Sequence, residues 1–340
     1  MKRLTRALGL ALGLGMAASG ATQAKDFYTM ATLGPGSSPY LVMSTLAQMV
    51  EKKTDGEIQI QINATGAATQ HAIGAAMGQI DFYMWSASVH DMMVQGNGMY
   101  AQIPQAPDLA AKLRAVLAFP LGLYHMVVYA DSGIDSLEDL AGKRVFLGPP
   151  GGGATIIMQR VVEGATGLKA GEDYEQIMLG WDAASQAFQD GRIDVYMNAT
   201  NAPSPVIQQM ALSRKIKLLS LTEEQREKGP VQAILNRPGG VLGAIPVGTY
   251  GDNQVNEEDV TTLGSIVGVG AGESVDAEGV YRITKAFWES VSENADATPW
   301  LRSVKLESAL LDLNLPLHPG ALRYYEEIGM EIPDELRPPE

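Results

Sequence analysis

Apolar and polar positions along this chain predict strands and helices in alternation. Residues 27–33 read as a strand, and residues 39–53 read as a helix with one apolar face. Ile58, Ile60 and Ile62 then alternate with glutamines, which is the pattern of a strand with one buried face. Because such elements keep alternating further along, the sequence predicts an α/β fold with a largely parallel sheet.

The middle of the chain indicates a change from one lobe to another. Residues 113–118 and 125–129 read as consecutive strands joined by a loop at 119–123, and residues 265–269 read as a strand that returns the chain. We therefore expect two lobes with two crossings between them. The predicted division is residues 25–121 and 262–340 for the first lobe and residues 122–261 for the second.

Local signals refine two of these segments. Ser38 is a plausible N-cap for the first helix, with Pro39 at its first position. Residues 222–240 are charged and then rich in proline and glycine, so we expect a surface loop with little regular structure there.

A short near-repeat links the two predicted lobes. Residues 78–84 read Gly-Gln-Ile-Asp-Phe-Tyr-Met, and residues 191–197 read Gly-Arg-Ile-Asp-Val-Tyr-Met. Each copy is predicted to be the end of a helix, a turn and a strand. The match agrees with two similar lobes, and chance agreement of common α/β patterns is the alternative.

The first residues have the order of a secretory signal peptide. A basic start with Lys2, Arg3 and Arg6 precedes an apolar run at 7–16 and small residues up to Ala24. The apolar run is too short to span a bilayer, which takes roughly 20 residues. We expect residues 1–24 to be removed near Ala24 and the mature chain to reach the periplasm.

Composition restricts the classes of partner. The formal net charge is −14, and the predicted leader holds three basic residues and no acidic ones, so nucleic acid is an improbable partner. The chain has no cysteine, which excludes disulfides, thiolate metal sites and attachment of a lipid to cysteine. The sequence predicts a free soluble protein.

Several segments in order resemble one receptor family, the TAXI family of TRAP-associated extracytoplasmic solute receptors. The match runs over nearly the whole chain after the leader. The matching segments are 34–40, Thr65-Gly66, 132–145, the glycine loop 148–155, 190–194, 245–250 and 315–325.

The resemblance implies a fold and a partner. The fold is the type II periplasmic-binding-protein fold, in which two lobes close around a ligand in the cleft between them. The partner is a TRAP membrane transporter with small and large subunits, separate or fused, driven by an ion gradient. No cofactor is implied.

Three predicted strand–loop–helix junctions are candidates for the ligand site. Such junctions direct backbone N–H groups and the positive end of a helix towards the carboxyl edge of a sheet. Glycines allow close approach of a ligand to the backbone, and hydroxyls add donors. An ordinary turn is the alternative for each loop taken alone. The candidates are Gly36, Ser37, Ser38, Thr65, Gly66, Thr69, Gly151, Gly152, Gly153 and Thr155.

Other candidates come from strand ends and from the family pattern. Trp85 and Trp181 are candidate apolar walls, with core packing as the alternative. Asn198 is a candidate amide contact or a turn residue, and His125 is a candidate contact beside the site loops. The resemblance adds Tyr40.

The sequence lacks the signatures of several chemistries. The glycine loop has neither the Walker A spacing nor G-x-G-x-x-G, so nucleotide binding is unsupported. The four histidines show no metal-ligand spacing, and no G-x-S-x-G nucleophile is present. We therefore predict no metal site and no catalytic residues.

The predicted function is capture of a small carboxylate or amino acid for a TRAP transporter. A C4 to C6 amino acid or dicarboxylate is expected, and a glutamate-like compound is favoured by the resemblance alone. Two alternatives stay open. One is a receptor for an ABC transporter of a sulfonate or pyrimidine-like compound, and the other is a periplasmic enzyme on the same fold.

Overall fold

The computed structural model describes residues 25–294 and 301–339. The predicted leader, residues 1–24, lies outside them. The strands are β1 Asp26–Ala31, β2 Ile58–Asn63, β3 Phe82–Ser86, β4 Leu113–Tyr129, β5 Arg144–Phe146, β6 Glu175–Gln176, β7 Val195–Thr200, β8 Ile216–Leu218, β9 Gly240–Ile245 and β10 Val260–Gly272. The α-helices are α1 Ser38–Lys53, α2 Ala68–Ala76, α3 Ala87–Val94, α4 Ala106–Ala110, α5 Gly153–Thr166, α6 Trp181–Gln189, α7 Pro205–Ser213, α8 Glu223–Glu227, α9 Gly229–Leu235, α10 Ala277–Asn294 and α11 Pro319–Glu327.

Two long strands carry one sheet through both halves of the molecule. The strand order is β2-β1-β3-β10-β4-β7-β5-β6, with β8 also paired to β4 and β9 to β10. From Val267 onward β10 pairs with β3, whereas up to Ser265 it pairs with β9. In the same way β4 pairs with β7 and β8 only from Leu123 onward. The sheet therefore has two halves, and each half together with the helices that cover it forms one lobe.

The predicted break at 119–123 is wrong, because β4 runs without interruption from Leu113 to Tyr129. Pro120 and Gly122 suggested a loop, since proline lacks an N–H for the ladder. The structure accommodates both with a β-bulge. Ile266 of β10 lies opposite Pro120 and Ser265 lies opposite Gly122, so Leu121 is the extra residue.

Two further expectations need correction. The N-cap of α1 is Ser37 and not Ser38, since the Ser37 hydroxyl accepts from the Tyr40 N–H at 3.3 Å. The segment 222–240 also contains helices α8 and α9. A capping box between Thr222 and Gln225 starts α8, and it allows a helix of only five residues.

The near-repeat is a shared structural unit. Both copies end in a strand, β3 and β7 respectively. Asp81 accepts from the backbone N–H of Thr29 at 2.7 Å, and Asp194 accepts from that of Arg144 at 2.8 Å. Each aspartate thus ties its strand to a strand of the same lobe, which gives the repeated Ile-Asp pair a structural role.

The C-terminal helices pack on the first half of the sheet. Helix α10 contacts α1 and α11. The Trp288 indole N–H donates to the Tyr325 hydroxyl at 3.1 Å, and that hydroxyl donates to the Val116 carbonyl in β4 at 2.9 Å. In the parts of the chain that the structure describes, no helix is long and apolar enough to cross a membrane.

Candidate functional site

A cavity of about 230 Å³ lies between the two lobes. On the first lobe its wall is formed by the start of α2, the end of β3 and helix α3, including Ala68, Ser86 and Val89. On the second lobe the wall is formed by residues 149–150 and 152–154 and by the start of α6. The crossing strands provide the floor with Leu121, Tyr124, Ser265 and Val267. Leu121 of this floor is the extra residue of the bulge in β4.

In the first predicted loop, Gly34 lines the cavity, whereas the candidates Gly36, Ser37 and Ser38 do not, and Gly36 and Ser38 instead form contacts between the lobes. The Ser38 hydroxyl, which is buried, donates to Thr200 Oγ1 at 3.0 Å and accepts from the Asn201 N–H at 3.3 Å. Gly36 has φ +84°, and a Cβ there would lie 2.7 Å from Asp182 Oδ1. Ser37 caps α1, and Tyr40 is half-buried with its N–H bound to that cap.

The second predicted loop lines the cavity with Gly66 and with the neighbouring Ala64 and Ala67. Gly66 lines the cavity and has φ +86°. Thr65 is exposed, and its hydroxyl donates to Asn63 Oδ1 at 2.7 Å. Thr69 is buried in α2, and its carbonyl accepts from the Tyr100 hydroxyl at 3.1 Å.

The third predicted loop contributes most directly. Gly152, the N-cap of α5, and Gly153, its first residue, both line the cavity. Thr155 is buried and its hydroxyl donates to the Pro149 carbonyl at 2.7 Å, which holds the loop against the helix. Gly151 faces Met99 and Ala67 of the other lobe, since a Cβ there would lie 3.4 Å and 3.7 Å from them.

The two tryptophans have different surroundings. Trp181 lines the cavity and packs edge-on against Phe146, with ring centroids 5.5 Å apart. Its buried indole nitrogen has no hydrogen-bond partner among the described residues. Trp85 is fully buried on β3 and does not line the cavity.

Asn198 and His125 lie beneath the contact between the lobes. Asn198 Nδ2 donates to the Tyr196 hydroxyl at 3.0 Å and to the Gly36 carbonyl at 3.4 Å. Its buried Oδ1 has no partner in the described part of the chain. His125 Nδ1 donates to the Leu123 carbonyl at 2.9 Å, which leaves Nε2 to accept from the Tyr250 hydroxyl at 2.7 Å.

Buried histidines should make folding sensitive to acid. Burial lowers the pKa of His125 from 6.5 to about 4, and it lowers the pKa of His90 and His318 equally far. The unfolded chain then binds more protons than the folded one between these values. The free energy of unfolding therefore keeps its full value above pH 6.5 and decreases as the pH falls towards 4. At pH 5 the decrease is about 2 kcal/mol for each of these histidines.

A substitution at His125 separates its part of this effect. His125→Phe should lower the free energy of unfolding at pH 7, because Tyr250 loses its acceptor. The difference in the free energy of unfolding between the variant and the wild type should shrink by about 2 kcal/mol on going from pH 7 to pH 5. The reason is that the variant lacks the buried neutral imidazole that destabilises the wild type in acid. Urea unfolding at both pH values measures this, and an unchanged difference would contradict the low pKa.

Sequence reasoning missed the polar groups of the cavity floor. Tyr124 and Ser265 have hydroxyl oxygens 2.8 Å apart, and Arg237 Nη2 donates to Ser265 Oγ at 2.7 Å. Ser86 on β3 is a further hydroxyl in the wall. Arg237 is half-buried and lies in the segment 222–240, for which the sequence predicts a surface loop, and no local signal indicates its contact with Ser265.

Metal ligation has no candidate in residues 25–294 and 301–339. No group of three or more His, Asp or Glu side chains is placed there to hold an ion. The groups that the cavity offers to a ligand are hydroxyls, backbone amides at helix starts and apolar side chains.

Comparison with solved structures finds similar chains at low sequence identity. A protein from Bordetella bronchiseptica RB50 has a TM-score of 0.50 at 15% identity, covering 92% of this chain and 91% of that one. An alkanesulfonate-binding protein from Xanthomonas axonopodis pv. citri, bound to MOPS, has a TM-score of 0.47 at 15% identity, covering 83% of this chain and 79% of that one. A TRAP periplasmic solute-binding protein from Ralstonia eutropha H16, with bound (S)-2-acetolactate, has a TM-score of 0.46 at 13% identity, covering 91% of this chain and 87% of that one. At 15% identity, the similarity to the Bordetella protein is one of fold alone.

The fold class predicted from the sequence is confirmed. Two lobes joined by crossing strands, with a cleft between them, form the periplasmic-binding-protein-like fold. The sequence model of the NMT1-like family matches residues 30–329, and the chain therefore belongs to the NMT1-like family.

Proposed function

We propose that this chain is a TAXI-type extracytoplasmic receptor that binds a small organic acid or amino acid and delivers it to a TRAP transporter. The observation that carries the proposal is the cavity of about 230 Å³ built by both lobes. An apolar cavity of about 150 Å³ holds one benzene molecule, so this one suits a metabolite of about nine non-hydrogen atoms. That size agrees with the C4 to C6 range expected from the sequence.

The proposed mechanism is closure of the lobes on the ligand. The division at 25–121 with 262–340, and 122–261, stays a prediction, and the crossing strands β4 and β10 would absorb the rotation. Hydrogen bonds between the lobes favour the closed arrangement. Ser38 donates to Thr200 at 3.0 Å, and Arg237 Nε donates to Ser88 Oγ at 3.1 Å. A ligand that fills the cavity adds its contacts only when the lobes are together.

Small-angle scattering tests closure. Protein stripped of ligand by unfolding and refolding should show a larger radius of gyration than the same protein saturated with the compound that copurifies with it. Equal curves at saturation would contradict closure. The compound is identified by mass spectrometry of the native protein, and its recovery unchanged after incubation supports binding without turnover.

The proposed place of action is the periplasm, after cleavage near Ala24. The membrane subunits, small and large, would be the partners that receive the ligand. A carboxylate recovered from the native protein supports the TRAP proposal. A sulfonate or a pyrimidine would favour the ABC alternative, and a chemically altered product would favour the enzyme.

A further inference from the structure

The side chains of the interlobe cavity carry no formal charge. Among the described residues that line it, the hydroxyl-bearing ones are Ser86, Tyr124 and Ser265. The other lining residues are apolar or glycine. A ligand ammonium group would lie in this cavity without a carboxylate to pair with it. Burial of an unpaired charge is costly.

The hydroxyls come from adjacent strands of the sheet. Ser86 ends β3, Ser265 lies on β10 and Tyr124 lies on β4, and these strands are neighbours in that order. Apolar side chains of the helices, such as Val89 and Ile157, form other parts of the wall. The cavity thus offers hydroxyl donors from its floor and an apolar surface for a carbon skeleton.

The Tyr124–Ser265 pair has one donor proton to spare. Two hydroxyls carry two protons, and only one of these is used in the 2.8 Å bond between them. Arg237 donates to Ser265 Oγ, so that oxygen already accepts a bond. Both residues line the cavity, so a ligand oxygen in contact with this pair would be the acceptor for the remaining proton.

Arg237 is a half-buried cation without a carboxylate partner in the described part of the chain. Its other bonds go to the Ile234 carbonyl at 2.6 Å, the Gly264 carbonyl at 3.3 Å and Ser88 Oγ at 3.1 Å. Burial lowers the pKa of Arg237 but leaves it a cation at neutral pH. An anion bound to the floor hydroxyls would be a counter-ion of Arg237, separated from the guanidinium by the Ser265 hydroxyl.

We infer that the ligand is a carboxylate with an apolar carbon skeleton and no ammonium group, its anionic end bound to Tyr124 and Ser265 with Arg237 behind them. The inference rests on the proposed receptor function and narrows it. It separates the two chemistries expected from the sequence, because amino acids such as glutamate carry an ammonium group and simple carboxylates do not.

Two matched ligand pairs test the absence of an ammonium group. Calorimetry compares 4-methylpentanoate with leucine, and glutarate with glutamate, since each pair differs by one ammonium group. The amino-free member that binds should bind at least 100-fold more tightly than its partner. Equal or tighter binding of leucine or glutamate would overturn the inference.

Variants of the floor test where the carboxylate lies. Ser265→Ala and Tyr124→Phe should each weaken 4-methylpentanoate roughly tenfold or more, because a charge-assisted hydrogen bond contributes about 1.5 to 3 kcal/mol. The neutral 4-methylpentanamide should lose less. Matched controls are Ser308→Ala and Tyr281→Phe, which lie at exposed or surface hydrogen bonds. Normal binding by both folded floor variants would place the anion elsewhere.

The outcomes separate this inference from the receptor proposal. If an amino acid binds tightly and closes the lobes, the receptor proposal stands and the inference of a carboxylate without an ammonium group is rejected. Failure of all four probes to bind, together with no small molecule in the native protein and no closure, rejects both. Arg237→Gln adds a further readout, since it should weaken the carboxylate more than the amide if the variant folds.

Discussion

Gly122→Ala is expected to remove a large part of the stability of this protein. Gly122 has φ +103°, and a Cβ there would lie 2.1 Å from the Thr200 carbonyl oxygen and 2.5 Å from the Asn201 nitrogen. Both neighbours are backbone atoms, so neither can rotate away. We expect the free energy of unfolding to fall by more than about 4 kcal/mol, which is large beside the 5 to 15 kcal/mol of a typical domain.

Gly167→Ala is the matched control for this steric effect. Gly167 ends α5 with φ +84°, and a Cβ there has no neighbour within 4 Å. It should cost only the left-handed strain of a non-glycine residue, about 1 to 2 kcal/mol. Urea unfolding of both variants measures the difference. Equal midpoints would show that the approach of β4 to the Thr200 backbone is not as close as described.

Ala154→Phe is expected to abolish ligand binding while the protein stays folded. Ala154 lies in the first turn of α5 and lines the cavity. A benzene molecule occupies a cavity of about 150 Å³, so a phenyl ring takes up more than half of the available 230 Å³. The affinity for 4-methylpentanoate should fall at least 100-fold, or about 2.7 kcal/mol.

Ala183→Phe provides the control for this substitution. Ala183 is an exposed residue of α6, where a phenyl ring meets solvent. Its affinity should stay within about twofold of the wild type, since surface changes usually alter free energies by less than 0.5 kcal/mol. Calorimetry on both proteins, with circular dichroism as the check of folding, decides the matter. Unchanged affinity in Ala154→Phe would place the ligand outside the interlobe cavity.

The candidate site illustrates how far local patterns extend. The glycine loop before α5 was predicted as a ligand contact, and Gly152 and Gly153 line the cavity. The loop before α1 has the same type of pattern, yet Ser38 is bound to Thr200 of the other lobe. A strand–loop–helix pattern identifies a junction, but the rotation of the lobes decides which junction faces the cavity.

Arg237 shows what the local pattern could not indicate. It follows a charged segment and precedes proline and two glycines, which is typical of an exposed turn. In the fold it contacts Ser265, 28 residues later, and Ser88, 149 residues earlier. Burial of a charged side chain depends on such distant partners, and a single sequence does not reveal them.

The sequence by itself determined the α/β elements, the alternation of strands and helices, and the existence of two lobes. These follow from the period of apolar positions, from glycines at turns and from caps, which all act between near neighbours in the chain. The tertiary structure decided that β4 continues through Pro120 and Gly122, because pairing with β10 supports a bulge that no local signal specifies. It also decided that Tyr124 and Ser265 meet at the cavity floor with Arg237 behind them, since the first contact depends on two strands far apart in sequence and the second on a residue 28 positions away.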